Sequence, residues 1–187
     1  MTPSERDAFG NWLSGFTDGE GCFGLHRHGV NPSTGKRRGY HGLFRIELRG
    51  DDSGVLSSIK EYLGCGNLGG SPANLGYSPR KVNPTCTYFV SDNKSLHDVV
   101  IPNFEKFPLR SKKARDFAIW SQAIKYLHLI VKRKSCGNKP KWTKLDVEIV
   151  ESYDLAIRGI REFNSDLCSI TQSIPKPVLS EFLPLFD

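Results

Sequence analysis

Several features are missing from this sequence, and each absence excludes a class of protein. No run of about 18 apolar residues occurs, so we expect no membrane-spanning helix. The N-terminal residues lack the apolar core of a secretion signal, and the five cysteines include no C-x-x-C pair with zinc or redox spacing. Internal repeats are absent as well, so neither disorder nor a fibrous pattern is indicated. We therefore expect an intracellular protein with reduced thiols and no membrane partner.

The sequence does carry a moderate excess of positive charge. Its 26 Lys and Arg residues outnumber 20 Asp and Glu residues, which gives a net charge of +6 over 187 residues. This balance favours a polyanionic partner, although many basic proteins bind no nucleic acid. Hydrophobic residues form 38% of the chain, and folding at this length buries roughly 70% of the unfolded surface. The composition therefore predicts one globular domain.

The first residues predict a helix with a defined start. Thr2 can cap it, Pro3 suits the first helical position, and Glu5 completes a capping box with Thr2. The apolar and small residues that follow form two neighbouring arcs, so two faces of the helix require burial. One arc contains Phe9, Leu13 and Phe16, and the other contains Ala8, Trp12, Gly15 and Gly19.

Alternating residues then predict a long hairpin, with strands at Cys22–Val30 and Tyr40–Arg49 around a basic turn. In the second strand, Phe44 and Ile46 alternate with residues such as Arg45, which predicts one apolar face and one charged face. The charged face is available for a partner.

The rest of the sequence predicts four more helices and a second hairpin. Asp52 or Ser53 can cap a helix that ends before Gly64. The other expected elements are strands near Asn67–Gly70 and Thr85–Ser91, a short helix near Leu96–Val100 that ends before Pro102, and long helices at Ser111–Val131 and Thr143–Phe163. The prolines after Asn164 predict an extended or disordered tail.

One motif within this order is specific. It reads Leu13-Ser14-Gly15-Phe16-Thr17-Asp18-Gly19-Glu20-Gly21 and stands where a helix opens into a strand. This motif, together with Ile101–Ala114 and the helix end at Leu63–Gly66, resembles the LAGLIDADG homing endonuclease family over roughly residues 6 to 131. The resemblance implies an α+β fold with an αββαββα core, an antiparallel DNA-binding sheet and additional C-terminal helices. We expect a single domain over residues 1–187, with its core at about 6–164 and an extended tail at 165–187.

A single motif implies a homodimer in this family, whereas two motifs in one chain form a pseudo-symmetric monomer. Gly15 and Gly19 are four residues apart on one face, where they let a second helix approach closely. Trp12 lies on the same arc and completes the predicted dimer interface. The alternative is that the glycines merely end or loosen the helix.

The resemblance makes Glu20 the essential ligand of a catalytic Mg²⁺ or a similar ion such as Mn²⁺, with the Gly19 carbonyl as a second oxygen donor. Hard oxygen ligands are the chemistry that Mg²⁺ requires. Asp18 is a further candidate ligand, although a role in supporting the helix end is favoured for it.

The family also places a basic residue near the scissile phosphate. Lys113 is favoured here, with Lys112 and Arg110 as alternatives, and the charge would stabilise the transition state. The competing interpretation is phosphate positioning or simple solvation. One departure concerns Leu48, which stands where a related enzyme uses a polar water-positioning residue; Glu47 or Arg49 is the candidate substitute.

The resemblance implies two sheets that form a saddle over the major groove. Alternation from Glu20 places His26 and His28 on the DNA side together with Arg45. Further DNA-contact candidates are Lys36, Arg37, Arg38, Arg49, Arg80, Lys81, Asn83, Thr85 and Thr87. Lys139 and Lys141 belong to a basic loop that we expect to contact the DNA backbone. The alternative is that this loop is an ordinary flexible surface loop. His26 and His28 also permit a metal site, but the sequence shows no third ligand.

The predicted function is site-specific, metal-dependent double-strand cleavage of a long, near-palindromic DNA target by an intron-encoded enzyme. A bacterial cytoplasm or an organelle, either chloroplast or mitochondrion, is the expected location. One alternative is an RNA-splicing maturase with intron RNA as its partner. The other is a noncatalytic DNA-binding regulator, for which loss of the acidic ligand is expected, yet Glu20 is retained.

Overall fold

The computed structural model describes residues 1–29, 39–71, 85–133 and 142–161. The principal elements are helices α1 (Pro3–Glu20), α2 (Ser53–Leu63), α3 (Asn93–Ser95), α4 (Ile101–Lys106), α5 (Lys113–Lys132) and α6 (Lys144–Arg161), and strands β1 (Gly21–Arg27), β2 (Tyr40–Arg49), β3 (Asn67–Ser71) and β4 (Thr85–Val90). A 3₁₀ turn at Gly50–Asp52 precedes α2, and a π-helical turn at Leu96–Val100 joins α3 to α4. This order confirms the predicted α+β class and αββαββα core, with α6 as a further helix.

The predicted helix start is confirmed in α1. The Thr2 side chain accepts a hydrogen bond from the Glu5 backbone N–H, while the Glu5 carboxylate accepts one from the Thr2 N–H. Leu13, Ser14 and Thr17 are buried, whereas Gly15 and Gly19 are exposed. One side of α1 therefore packs on the core and the other faces solvent.

The four strands form one antiparallel sheet in the order β1-β2-β4-β3. Burial alternates along β2 as predicted, because Phe44 and Ile46 are buried while Arg45 and Glu47 are exposed. The helices cover only the apolar face, on which Phe23 stacks against Phe44 at a ring-centroid distance of 5.2 Å. No element of the described residues covers the other face.

Pro102 does not end the helix that precedes it, so that prediction is wrong. The π-helical turn before it makes a wider hydrogen bond, from the Ile101 N–H to the Leu96 carbonyl. A proline ring normally clashes with the carbonyl four residues earlier, and a wider turn relieves that clash. Packing also favours continuation, because Ile101 and Phe104 are almost fully buried.

Helix α5 lies across the apolar face of the sheet, and α6 packs against α5. Trp120, Ile124 and Ile130 of α5 are fully buried in the core. Several predictions fall outside the described residues: the end of the first hairpin strand, the tail at 165–187, and the candidates Lys36, Arg37, Arg38, Arg80, Lys81, Asn83, Lys139 and Lys141. None of the helices in the described part of the chain has the length and apolar character needed to span a membrane.

Candidate active site and nucleic-acid interface

The C-terminal end of α1 meets the N-terminal end of α5. The Lys113 ammonium donates hydrogen bonds to the carbonyls of Thr17 at 3.1 Å and Gly19 at 2.9 Å. A cation at this position complements the partial negative charge at a helix C-terminus. Lys113 is thus the basic residue that the fold brings to the motif, 94 positions from Gly19 in sequence.

The pKa of Lys113 lies below its ordinary value. Burial of the ammonium lowers the pKa, while the nearby Cys22, Glu20 and Asp18 act in the opposite direction. The ammonium is therefore partly removed from water and held by carbonyl oxygens. A charge in such surroundings acts more strongly on a bound anion than it would in bulk solvent.

Asp18 fastens the loop that leads into α5. Its two carboxylate oxygens accept hydrogen bonds from the Arg110 N–H at 2.8 Å, the Ser111 N–H at 3.2 Å and the Ser111 hydroxyl at 2.7 Å. Burial raises the pKa of Asp18, but these bonds and the charge of Lys113 outweigh it and leave the pKa below its usual value. Asp18 therefore holds the residues that lead into α5, and both of its carboxylate oxygens accept hydrogen bonds.

Glu20 is the last residue of α1, and its side chain is exposed. It forms no hydrogen bond or ion pair with any other described residue. The adjacent Gly19 carbonyl points to the same end of the helix and already accepts the Lys113 hydrogen bond. A free carboxylate beside a terminal carbonyl supplies the hard oxygen donors that Mg²⁺ prefers, so these residues fit the predicted ion.

The other two basic candidates lie differently. The side chains of Arg110 and Lys112 are exposed, and neither contacts the motif within the described residues. Arg110 contributes its backbone N–H to Asp18. Of the three candidates, only Lys113 contacts the end of α1 through its side chain in the described part of the chain.

Three further residues fix β1, and the sequence analysis missed all of them. The Trp120 indole N–H donates to the Gly24 carbonyl at 3.1 Å. Arg161, the last described residue of α6, donates to the Phe23 carbonyl and to the buried carboxylate of Asp116. Since Asp116 is one turn after Lys113 in α5, these contacts join the strand that follows Glu20 to the helix that carries Lys113.

The polar face of the sheet begins next to the end of α1. Strand pairing aligns one cross-sheet row as Cys22, Arg45, Phe89 and Asn67. The neighbouring row contains Glu47 and Thr87, in which the Thr87 hydroxyl donates to the Glu47 carboxylate at 3.3 Å. The next pair is Arg49 and Thr85. The predicted candidates Arg45, Arg49, Thr85 and Thr87 therefore share one face.

The predicted substitutes for the water-positioning residue also occupy this face. Glu47 is exposed and lies near Arg45, with 3.8 Å between the carboxylate and the guanidinium. Arg49 is held by Asp51, to which its Nε donates at 2.7 Å. Leu48 packs against the core instead. Of the two, Glu47 lies nearer the end of α1, because its neighbour Ile46 pairs with Gly21 and Arg49 is three residues further along β2.

The outer end of the same face carries histidines. His26 pairs with His41 across β1 and β2, and His28 follows β1. The sequence analysis named His26 and His28 but not His41, although His41 has the same parity along β2 as Arg45. No group of three His, Cys, Asp or Glu side chains among the described residues has an arrangement suited to a metal ion. The histidine metal site therefore lacks support there.

The predicted dimer residues lie on the open side of α1. Nothing in the described structure comes within 4 Å of a Cβ built at Gly15 or Gly19. Trp12 is 42% exposed and stacks on Phe16, with a ring-centroid distance of 4.9 Å. This face therefore combines a flat aromatic side chain with room for a close helix approach.

Comparison with known proteins agrees with this geometry. The sequence profile of the LAGLIDADG endonucleases matches residues 13–124, which include the motif, the whole sheet and most of α5. The chain belongs to the LAGLIDADG endonuclease family. This membership confirms the resemblance noted in the sequence.

Three relatives illustrate the likeness. An uncharacterized 50.9 kDa protein in ND4 intron 1 of Podospora anserina is 32% identical over 60% of this chain and 23% of its own length. The probable intron-encoded endonuclease Cox1-I1b of Schizosaccharomyces pombe is 28% identical over 79% of this chain and 34% of its own length. The structure of I-SmaMI bound to an uncleaved DNA target with calcium ions superposes with a TM-score of 0.63, at 19% identity over 90% of this chain and 50% of that one.

The match covers only part of each relative. The chain spans about a quarter to a third of the length of the curated relatives it matches. At 19% identity the likeness to I-SmaMI establishes the fold.

Proposed function

We propose that this chain is a site-specific DNA endonuclease that acts as a homodimer and makes a metal-dependent double-strand break. The observation that carries the proposal is the meeting of Lys113 with the end of α1. This contact holds a partly buried cation against the carbonyl of Gly19, one residue before the exposed Glu20, at the edge of a polar sheet face.

The polar sheet face would bind duplex DNA. Arg45 is exposed and pairs with Cys22, two residues after Glu20, so it is the strongest candidate for direct contact with a base. Arginine reads guanine by two hydrogen bonds in the major groove. Thr85 and Thr87 extend the same face along β4 and would contact bases or phosphates. The DNA-bound structure of I-SmaMI supports this partner through the shared fold.

Glu20 and the Gly19 carbonyl would hold the divalent ion, which when bound would supply Lewis-acid stabilisation of the phosphate. Lys113 would hold its proton and place positive charge beside the scissile phosphate, where negative charge increases in the transition state. Asp18 would keep the α5 end at the correct distance through its three hydrogen bonds. Each half of the dimer would then cut one strand.

The open face of α1 supports the homodimer. A symmetric contact through Gly15 and Gly19 would place two copies of Glu20 on either side of the axis. Because each protomer would bind one half-site, the target is expected to be long and near-palindromic. The fold of I-SmaMI is matched over half of its chain, which agrees with two such units in one nuclease.

Both curated relatives carry intron-based names, so we propose that this enzyme is also intron-encoded and works in an organelle. Intron RNA is a further candidate partner. A binding assay with the intron transcript would show whether RNA competes with DNA for the same face.

The decisive experiment is cleavage of a randomised duplex library, followed by sequencing of the cut ends. Wild-type protein with Mg²⁺ should enrich one near-palindromic site. Glu20→Gln retains the shape of the side chain but removes the charge that holds the ion. This variant should bind the selected duplex within about tenfold of wild type, or roughly 1.4 kcal/mol, and should produce no double-strand break. Cleavage by Glu20→Gln at the wild-type rate would refute the assignment, and its failure to fold would show that Glu20 is structural.

A further inference from the structure

The five histidines of this protein lie in two clusters. The first contains His26, His28 and His41, with ring-centroid distances to His41 of 5.6 Å for His26 and 4.6 Å for His28. The second contains His97 and His128, whose rings stack at 4.0 Å on the helical layer. Histidine is the side chain whose charge changes most readily near neutral pH, so a group of three can respond to pH.

The first cluster stands on the polar face of the sheet. The pair formed by His26 and His41 is four residues along β1 from Cys22, or about 13 Å at 3.3 Å per residue. This distance places the cluster away from the catalytic end of α1 and along the path that a duplex would follow. The inference that the cluster contacts DNA rests on the proposed function, in which that face binds the duplex.

Among the described residues, the charged groups around the cluster do not neutralise the positive charge of protonated imidazoles. Arg27 and Tyr40, which adjoin these histidines in β1 and β2, form a cation–π contact, and Arg27 is also paired with Glu151 of α6. Within the described residues, no carboxylate hydrogen-bonds to any of the three imidazoles. In the described part of the chain, the cluster therefore has no hydrogen-bonded carboxylate partner.

His41 is the group most affected by this arrangement. Burial lowers the pKa of His41, and the neighbouring His28 and His26 lower it further. Its buried Nδ1 atom has no hydrogen-bond partner in the described part of the chain, so no internal bond fixes the tautomer. Free protein therefore favours a neutral His41, while an anion placed against the cluster would favour the protonated ring.

We propose that His26, His28 and His41 form a proton-linked DNA-recognition site at the outer end of the sheet. Imidazolium N–H groups would donate to acceptor atoms of the DNA, either phosphate oxygens or guanine N7 and O6. DNA binding at this site takes up protons, so affinity rises as the pH falls through the titration range of the cluster.

The test is a measurement of the DNA dissociation constant between about pH 5 and 8, without divalent cations. The probes are the duplex recovered from the cleavage selection and a scrambled duplex of the same composition. Wild-type Kd should fall with decreasing pH, by up to about tenfold per pH unit for each proton taken up. Replacing the three histidines by Gln should flatten this dependence.

Two further variants keep the result interpretable. The double variant His26→Gln/His28→Gln changes only exposed side chains and should already reduce the pH slope. The matched control His97→Gln/His128→Gln removes the other histidine cluster and should retain the wild-type slope. A pH effect on both duplexes identifies phosphate oxygens as the acceptors, whereas an effect on the selected duplex alone identifies guanine.

DNA binding whose Kd does not change with pH would overturn this inference and leave the proposed endonuclease intact. A wild-type pH slope in the triple variant would overturn it as well. Absence of DNA binding at every pH would overturn the proposed function, and the inference with it.

Discussion

The Nζ atom of Lys113 lies 2.9 Å from the carbonyl oxygen of Gly19, the residue that precedes the exposed Glu20. This contact predicts that Lys113→Met reduces kcat by about 10²–10³-fold, the usual loss when one preorganised charge is removed from a transition state. Mn²⁺ binding should persist, because Glu20 remains. Single-turnover cleavage and Mn²⁺ titration would measure the two effects.

Lys112 provides the matched control for that experiment. Its side chain is exposed and makes no contact with the motif in the described structure. Lys112→Met should retain single-turnover cleavage and at most reduce the salt dependence of DNA binding by about one phosphate contact. Equal losses of kcat in the two variants would contradict a specific role for Lys113.

The carboxylate of Asp18 makes a pH-dependent contribution to stability. Hydrogen bonds from Arg110 and Ser111 outweigh burial and hold the pKa of Asp18 below 3.8 in the folded state. Its contribution is therefore fully present above the unfolded pKa of about 3.9 and is lost as the pH falls through the lower folded value. Chemical denaturation of wild type should show this loss in the acid range.

Asp18→Asn should remove that part of the acid dependence. The amide nitrogen cannot accept a hydrogen bond, so the variant should lose about 1–2 kcal/mol of unfolding free energy at neutral pH. Cleavage should also weaken, because the loop before Lys113 is less well fixed. Identical acid dependence in wild type and Asp18→Asn would contradict this account.

Two glycines of α1 predict opposite outcomes. A Cβ at Gly10 would lie 2.2 Å from the Phe107 ring, whereas a Cβ at Gly15 would meet nothing within 4 Å of the described structure. Gly10→Ala should therefore destabilise the fold by about 1–3 kcal/mol through overpacking. Gly15→Leu should fold normally but fail to dimerise. Thermal unfolding and sedimentation separate these effects, and a Gly15→Leu dimer of wild-type affinity would remove the proposed interface.

Local signals in the sequence predicted much of the fold. The Thr2 capping box, the alternation of β2 and the left-handed Gly64 after α2 each depend on neighbouring residues, and all were correct. Pro102 shows the limit of local rules, because burial of Ile101 and Phe104 keeps the helix going through a wider turn. The proline ring disfavours an ordinary helical turn, but the burial of these two side chains stabilises the helix by more than that.

The site was predictable only in part. The motif nominates Glu20 as the metal ligand, but the choice of Lys113 over Lys112 depends on how α5 meets α1, which no local pattern encodes. His41 could have been found, because it shares the parity of Arg45 along β2. The bond between Arg161 and Asp116 joins residues 45 positions apart on two helices, and nothing near either residue indicates the partner.

That last contact yields a prediction for α6, which lies beyond the part of the chain matched by the family profile. Arg161 donates to Asp116 at 2.7 Å and also to the Phe23 carbonyl, so Arg161→Ala leaves a buried carboxylate and a carbonyl without this partner. Solvent reaches the Arg161 side chain, which is 40% exposed, so the expected cost is about 1–3 kcal/mol of unfolding free energy. Arg161→Lys keeps the charge but cannot reproduce the fork of two donors, and it should recover only part of the stability. Because Asp116 is one turn after Lys113, both variants should lower kcat more than they weaken DNA binding. Single-turnover cleavage at saturating protein, compared with Kd for the same duplex, would measure this difference, and equal losses in both quantities would show that Arg161 serves stability alone.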